Sequence, residues 1–188
     1  EPRLVVHYAL ATLGTTGVQS IADRYDEARE NPDDPNIQLA ADFHSMVANI
    51  AGIPRGQAKT INLGLFYGMG KAKLQAELGV SKDKAAELFN TYHAKVPFVK
   101  QLMDKASNRA QDRGQIRTLL GRLCRFHLWE PNSFGMHKAM THEDALQEHG
   151  PGIKRAYTYK SLNKLIQGSA ADMTKKAMLE LYKEGIVA

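Results

Sequence analysis

The 188-residue sequence has a single cysteine, Cys124, so it cannot form an internal disulfide. It has no apolar run near the roughly 18 residues that a membrane-spanning helix needs, and no segment laid out like a signal peptide. These absences exclude the disulfide-stabilised and the membrane-spanning classes of protein. We therefore expect a protein of a reducing, intracellular compartment, with no membrane among its partners.

Acidic residues are the minority among the charged ones. Lysine and arginine number 25 against 20 aspartates and glutamates, which gives a net charge of +5 and an isoelectric point near 9.3. A surface of this sign mildly favours a polyanionic partner, and the 43% apolar content excludes a disordered acidic segment. The length suffices for one domain, or one large subdomain, with a core of its own.

One stretch, residues 54–68, has the pattern of a helix with two different faces. At 100° per residue, positions four apart drift by only about 40° at each step and share one face. Four residues form this face: Arg55, Lys59, Leu63 and Tyr67. An apolar group lies on another side: Ala58, Ile61, Leu65 and Met69. We predict that the apolar group packs and that the first face is available for binding.

The order of residues along the first face suits a nucleotide. Proline is tolerated in a first helical turn, so Pro54 places Arg55 and Lys59 near the electropositive start of the helix, where they can share a polyphosphate with backbone N–H groups. Leu63 and Tyr67 then suit a sugar and a base. On spacing alone, the alternative is an amphipathic helix with a solvated basic edge, which is a common feature.

Three blocks of the chain resemble motifs of family A DNA polymerases, the group of bacterial DNA polymerase I and the podophage replicases. The pattern Arg-x3-Lys-x3-Leu-x3-Tyr-Gly at 55–68 resembles their nucleotide-binding fingers helix, motif B. Residues 1–3 resemble the end of motif A, and residues 163–172 resemble the helix that precedes motif C. Residues 42–44, Asp-Phe-His, are similar to the Asp-x-His segment before the fingers helix. The resemblance implies a phage-type polymerase of DNA replication.

The resemblance assigns three side chains to the triphosphate. Arg55 would hold the γ-phosphate and His44 would assist at the β-phosphate. Lys59 would lie at the α-phosphate and act as the catalytic proton donor to the leaving pyrophosphate, because a lysine can release a proton where an arginine cannot.

The resemblance assigns three more residues to the sugar and the base of the dNTP. Leu63 stands where the family usually has Phe or Tyr, so it would pack more loosely against the deoxyribose. Tyr67 would stack beside the nascent base pair. Glu1, aided by the Tyr67 hydroxyl, would block a ribose 2′-hydroxyl.

Four residues are expected at the primer-template. Asn163 and Gln167 lie one helical turn apart, and their amides can pair with the minor-groove acceptors, which are nearly independent of sequence. Arg122, in Thr-Leu-Leu-Gly-Arg, resembles a phosphate-binding residue of a family turn, and Gly68 follows the stacking tyrosine. Tyr159 replaces an Arg or His that many relatives use as a primer contact. The alternative for Asn163 and Gln167 is capping or bridging of helices.

The resemblance implies a mainly α fold, the helical fingers subdomain of a family A polymerase with one small β-hairpin. We expect a palm-edge remnant at 1–13, the fingers at 14–152, and a long helix at 153–188 that returns to the palm and ends before motif C. The strands of the hairpin are predicted at 115–119 and 123–128.

Periodicity and capping residues predict the other elements. Helices are predicted at 4–13, 21–30, 38–50, 72–78, 82–93 and 97–113, with Ser81 as an N-cap. Residues 129–152 are predicted to be irregular, and residues 153–183 to form a helix with one buried stripe. That stripe consists of Leu162, Leu165, Ile166, Ala170, Met173, Ala177 and Leu181.

The carboxylates that hold the metal ions in this family belong to motif A, ahead of its glutamate, and to motif C. Neither context occurs in this sequence, so the resemblance implies Mg²⁺ in the complete polymerase and no metal ligands here. The histidines and acids of the 129–152 segment lack a metal-ligand spacing: His137, His142, Glu143, Asp144 and His149. We expect an excised fingers region that does not polymerise alone.

The implied partners are a DNA primer-template, a dNTP, and the remaining palm, thumb and exonuclease parts of the polymerase, in bacterial or infected-host cytoplasm. Two other interpretations stay open. A non-catalytic basic helical module would bind duplex nucleic acid with an affinity indifferent to Lys59→Ala, and would not bind a triphosphate. A purely structural helical protein would bind neither.

Overall fold

The structure, a computed structural model, describes residues 2–13, 16–133 and 135–186. The chain divides into two compact units, 1–103 and 104–188. The functional boundaries expected after residues 13 and 152 stay predictions. The mainly helical fold expected from the sequence is confirmed. Among the described residues, no helix combines the length and the apolarity needed to cross a membrane.

The first unit is built from helices. They are α1 (Pro2–Leu13), α2 (Thr16–Glu30), α3 (Pro35–Ala40), α4 (Phe43–Ala51), α5 (Arg55–Phe66), α6 (Lys71–Leu78), α7 (Lys82–Lys95) and the beginning of α8 (Pro97–Arg113). Within this unit, α4 packs against both α5 and α7. The Phe43 ring lies 5.5 Å from the ring of Phe66 and 6.5 Å from that of Phe98, which forms part of the core beneath α5.

Side-chain caps determine where several of these helices begin. The sequence pattern predicts one helix at 38–50, whereas the structure has α3 and α4 with a break between them. The backbone of Asp42 is extended and its carboxylate accepts the N–H of His44, so a new helix starts after it. Asp34 caps α3 in the same way, and the predicted N-cap Ser81 is confirmed at α7.

The second unit contains the predicted β-hairpin. Strands β1 (Gln115–Arg117) and β2 (Leu123–Arg125) pair antiparallel, with Ile116 opposite Cys124. Gly121 in the connecting turn has φ +90°, a conformation that glycine adopts without the steric cost of a side chain. The hairpin is confirmed, with strands shorter than predicted.

A second small sheet lies where the sequence predicts irregular structure. It consists of β3 (Trp129–Pro131) and β4 (Ile153–Arg155), which pair antiparallel with Trp129 opposite Arg155, and α9 (His142–His149) lies between them in the chain. The prediction of an irregular 129–152 segment is therefore wrong, and this sheet is present in addition to the predicted hairpin. A helix and its flanking residues separate the two strands in the chain, so no local turn sequence indicates that they pair.

The last helix begins later than the sequence predicts. Residues 153–160 form β4, a connection and one 3₁₀ turn (Thr158–Lys160), and α10 runs from Ser161 to Lys183. The predicted stripe is buried at three positions: Leu162, Leu165 and Ile166. Burial along α10 ends at Ser169, so the predicted burial is wrong for Met173, Ala177 and Leu181, which are exposed in this structure.

Candidate functional site

The start of α5 is an open helix terminus. Pro54 is the N-cap, with φ −57° and ψ 144°, so it precedes the first turn rather than lying within it as the sequence predicts. Arg55 is consequently the first helical residue. Pro54 has no side chain that could cap the helix, and no side-chain cap hydrogen bond is formed there. The first N–H groups of α5 and the side chain of Arg55 therefore meet at the same end.

The two faces predicted for this helix are present. Ala58, Ile61 and Leu65 are buried, with exposed fractions of at most 3%. On the other face Arg55 and Lys59 are exposed and Leu63 is half-buried. The packed flank thus holds the helix in the unit while its basic edge faces outward.

The end of α5 is a Schellman motif. The helix ends at Phe66 rather than at 68, and Tyr67 is its half-buried C-cap. The N–H of Gly68 donates to the carbonyl of Leu65 at 3.2 Å, and that of Met69 donates to the carbonyl of Gly64 at 2.8 Å. Gly68 has φ +83°, so the backbone alone explains the glycine that follows Tyr67.

A carboxylate from the neighbouring helix holds Arg55. Oδ2 of Asp42 lies 2.5 Å from Nε of Arg55 and accepts a hydrogen bond from the Ser45 hydroxyl at 2.6 Å. Burial raises the pKa of Asp42, but the hydrogen bonds from Arg55, Ser45 and the backbone N–H of His44 outweigh it and lower the pKa to about 2. The bond raises the pKa of Arg55 in turn. Among the described residues, the recorded guanidinium contact uses Nε, which leaves the terminal amino groups for another anion.

His44 lies next to the same cations. Its Nδ1 is 3.0 Å from Nδ2 of Asn62, on the buried side of α5. Burial lowers the pKa of His44, and the positive charges of Arg55 and Lys59 lower it further, although Asp42 acts in the opposite direction. The lowered pKa favours the neutral ring at neutral pH. Arg55 and Lys59 thus lie within electrostatic range of His44, and these are three residues that the sequence assigns to one ligand.

Asn62 is a site residue that the sequence analysis missed. It is fully buried, and its amide forms the one polar contact recorded between its side chain and the described residues. A detectable signal existed, because Asn62 lies four residues after Ala58 and three before Leu65 on the apolar flank. A polar side chain in such a stripe needs a hydrogen-bond partner.

The remaining residues assigned to the nucleotide are Leu63, Tyr67 and Glu1. Leu63 lies on the same face as Lys59, one helical turn further along α5. Tyr67 follows the helix as its C-cap. Glu1 lies outside the described residues. The roles of these three residues stay predictions.

Two amides assigned to the primer-template lie on α10, in the second unit. Asn163 is half-buried and Gln167 is exposed, four residues later on the same helix. Neither side chain forms a hydrogen bond with the described part of the chain. Within that part, the two amides therefore neither cap nor bridge helices. Their role at a primer-template stays a prediction.

Arg122 connects the hairpin to α10. Its Nε lies 2.8 Å from Oδ1 of Asp172, and its Nη2 donates to the carbonyl of Gly168 at 2.9 Å. The Thr118 hydroxyl and the Arg122 guanidinium lower the pKa of Asp172. A Cβ on Gly168 would lie 2.9 Å from both Arg122 and Thr118, so this close approach requires glycine. The predicted phosphate contact of Arg122 stays a prediction; its side chain is half-exposed but already has two partners.

Arg155 is a second arginine that joins segments distant in the chain, and the sequence analysis missed it. Its guanidinium donates to the carbonyls of Gln111 and Phe126, both at 3.0 Å, and lies 4.6 Å from the Trp129 ring centre. The Gln111 side chain bonds the backbone of Arg155 in return. These contacts join residues 26 to 44 positions apart, so no local sequence pattern could reveal them.

The acids and histidines of the 129–152 segment are mostly on α9. His142, Glu143, Asp144 and His149 lie along this helix, and the Thr141 hydroxyl caps it by accepting the N–H of Asp144. Within the described ranges, no group of three or more His, Cys, Asp or Glu side chains is placed to hold a metal ion.

Comparison with known proteins identifies several relatives. A family model described as DNA polymerase family A matches residues 25–186. Over 99% of its length the chain is 32% identical to a DNA-directed DNA polymerase of Pseudomonas phage M6, of which it covers 29%. It is 32% identical, over 74% of its length, to DNA polymerase I of Geobacillus stearothermophilus, of which it covers 14%. The chain thus spans less than a third of these curated relatives.

A solved structure is also similar. It is described as the POL domain of Pol1 from M. smegmatis in complex with DNA primer-template and dNTP. The TM-score is 0.56 and the sequence identity is 25%, and the match covers 78% of this chain and 25% of that one.

Proposed function

Because the chain belongs to DNA polymerase family A, we propose that it is the part of a template-directed DNA polymerase that binds the incoming dNTP and contacts the primer-template. The M. smegmatis relative is described with both ligands, which supports this assignment. The single observation that carries it is the cluster of Arg55, Lys59 and His44 at the uncapped start of α5.

The triphosphate is proposed to lie against this cluster. Arg55 binds the γ-phosphate through its terminal amino groups while Nε remains on Asp42, which holds the guanidinium in one orientation. His44 contacts the β-phosphate as a neutral donor. Lys59, one turn along α5, neutralises charge at the α-phosphate and donates a proton to the leaving pyrophosphate.

The sugar and base are proposed to lie further along α5. Leu63 packs against the deoxyribose and Tyr67 stacks beside the nascent base pair, with Glu1 excluding a ribose 2′-hydroxyl. In the second unit, Asn163 and Gln167 present amides that form no hydrogen bond with the described residues and that suit the minor-groove acceptors of a primer-template. Gly68 and Arg122 are proposed as further contacts with the nucleic acid.

Metal-dependent chemistry is assigned to the complete polymerase. Magnesium there would neutralise the charge that develops during nucleotidyl transfer. The described residues of this chain contain no cluster fit to hold such an ion. We therefore propose that the chain does not polymerise alone, and that the palm, thumb and exonuclease parts are its partners in the cytoplasm.

Titration of the ¹⁵N-labelled chain with dATP tests nucleotide binding. We expect amide shifts along residues 55–67, and we expect Arg55→Ala to lower the affinity by about tenfold or more because a charge-assisted phosphate contact is lost. Arg29→Ala is the matched control, since Arg29 is an exposed arginine that pairs with Asp26 on α2. Shifts that survive in Arg55→Ala, or that disappear equally in Arg29→Ala, would contradict the proposal.

A primer-extension assay tests the proposed inactivity. The purified chain is incubated with primer-template, all four dNTPs and Mg²⁺, beside a complete family A polymerase as positive control. We expect extension by the control alone. Magnesium-dependent extension by the purified chain would show that it carries its own metal site.

A further inference from the structure

The buried contact between Asn62 and His44 has a defined polarity. Nδ2 of Asn62, an amide nitrogen that can only donate, faces Nδ1 of His44 at 3.0 Å. A ring nitrogen that accepts a hydrogen bond carries no proton. The proton of the neutral imidazole must then be on Nε2, at the other side of the ring.

We propose that Asn62 is a positioning residue that fixes the proton of neutral His44 on Nε2, so that the ring presents an N–H donor to a phosphate oxygen of the nucleotide. This inference rests on the proposed function for its ligand, and on the Asn62 contact alone for its geometry. Asn62 is fully buried and does not itself reach the exposed face of α5.

The oxygen of the same amide supports this orientation. Oδ1 of Asn62 is buried and has no hydrogen-bond partner among the described residues. Turning the amide over would bring Oδ1 to Nδ1 and bury the NH₂ group in its place. Unsatisfied carbonyl oxygens are better tolerated in protein interiors than unsatisfied N–H groups, so the observed orientation is favoured.

Burial of the His44 ring favours the same neutral state, because it lowers the pKa of the imidazole. Arg55 and Lys59 on α5 act in the same direction, and Asp42, at the start of the helix that carries His44, opposes them. A neutral ring needs one partner to select its tautomer. Asn62 is the partner that the structure supplies.

Long-range ¹H–¹⁵N correlation spectra of the histidine rings test the tautomer directly. In the wild-type chain at neutral pH we expect His44, assigned with His44→Gln, to be protonated on Nε2. Asn62→Asp replaces the donor by an acceptor, so we expect Nδ1 to gain a proton and the titration midpoint to move upward. Ser133→Ala is the control, because Ser133 bonds a different ring, that of His137, at 3.2 Å, and it should leave His44 unchanged.

A second measurement tests whether Asn62 acts through His44. We expect Asn62→Leu to weaken dATP binding by about two- to tenfold and to leave dAMP binding unchanged, because dAMP has no β-phosphate. In the His44→Gln background the same substitution should add nothing. An equal loss in that background would overturn the proposal.

Different results would overturn the role of Asn62 and the proposed nucleotide-binding function. A wild-type His44 protonated on Nδ1, which is measured without any variant, overturns the role of Asn62 and leaves the nucleotide site standing. A chain with the expected tautomer that shows no dATP-dependent shift overturns the proposed function.

Discussion

Asp42 makes two separable contributions, and substitutions at this position distinguish them. Its carboxylate caps α4 through the N–H of His44 and also holds Arg55 at 2.5 Å. Asparagine retains a capping oxygen but has no charge, whereas alanine retains neither. Comparing Asp42→Asn with Asp42→Ala therefore isolates the cap, and comparing Asp42→Asn with the wild type isolates the charge.

The expected loss for Asp42→Asn at neutral pH is about 1 kcal/mol. Lowering the pKa of Asp42 from 3.8 to about 2 corresponds to roughly 2 kcal/mol, and screening by solvent reduces this to about 1 kcal/mol. Asp42→Ala also removes the cap, worth about 1 kcal/mol, so it should lose about 2 kcal/mol. For a chain of this length, that corresponds to a fall in melting temperature of about 4–8 °C. Circular dichroism melts and urea unfolding measure both variants.

The charge of the Asp42 carboxylate makes the stability of the fold depend on pH. The folded-state pKa of Asp42, about 2, lies below the ordinary value of 3.8. A depressed carboxyl pKa stabilises the folded state above the ordinary pKa, and this stabilisation is lost as the pH falls from 3.8 through 2. The stability difference between the wild type and Asp42→Asn should therefore be constant near neutral pH and shrink in that acidic window.

Asp34 supplies the matched control. It caps α3 through the N–H groups of Asn36 and Ile37. Asp34→Ala should lose capping energy, and the dATP affinity of the chain should be unaffected. The reasoning would be refuted if Asp42→Asn were as unstable as Asp42→Ala near neutral pH, or if the difference from the wild type grew as the pH fell.

Four further substitutions, one of them a control, test the packing within each of the two units. Gly168→Ala places a methyl group 2.9 Å from the Arg122 guanidinium, and should lower the stability by about 1–3 kcal/mol in thermal melts. Gly56→Ala, in an exposed helical position with nothing within 4 Å, should raise it by about 0.5–1 kcal/mol and is the control. Tyr92→Phe removes a buried hydroxyl that has no partner among the described residues, so urea unfolding should show no loss or a small gain. Gln111→Ala breaks the side-chain bonds to β4 and the following 3₁₀ turn and should cost about 2–3 kcal/mol by the same measurement.

Local sequence patterns were sufficient to predict the exposed face of α5 and the family of the chain. The four-residue spacing of Arg55, Lys59 and Leu63 places them on one face of any helix, and the structure keeps that face outward. The motif blocks predicted family A, which the match to residues 25–186 confirms. Ser81 was identifiable as a cap because its hydroxyl bonds an N–H three residues away.

Predictions failed where the decisive partner is distant or where a pattern has two meanings. β3 and β4 pair across an intervening helix, so the segment between them reads as irregular. Met173 and Leu181 continue the spacing of a buried stripe, but burial requires an element to pack against, and in the described structure it ends at Ser169. Helical periodicity across 38–50 conceals the break at Asp42, because a capping aspartate and a solvent-facing one look alike in sequence.

The sequence alone determined which residues share a helical face, where several helices are capped and which family the motifs belong to, because these depend on neighbours within a few positions. Only the tertiary structure decided that Asp42 holds Arg55, that Asn62 meets His44 and that Arg122 joins the hairpin to α10. These contacts link residues 13, 18 and 50 positions apart. Their hydrogen bonds form over about 3 Å, a distance that packing sets and sequence spacing does not encode.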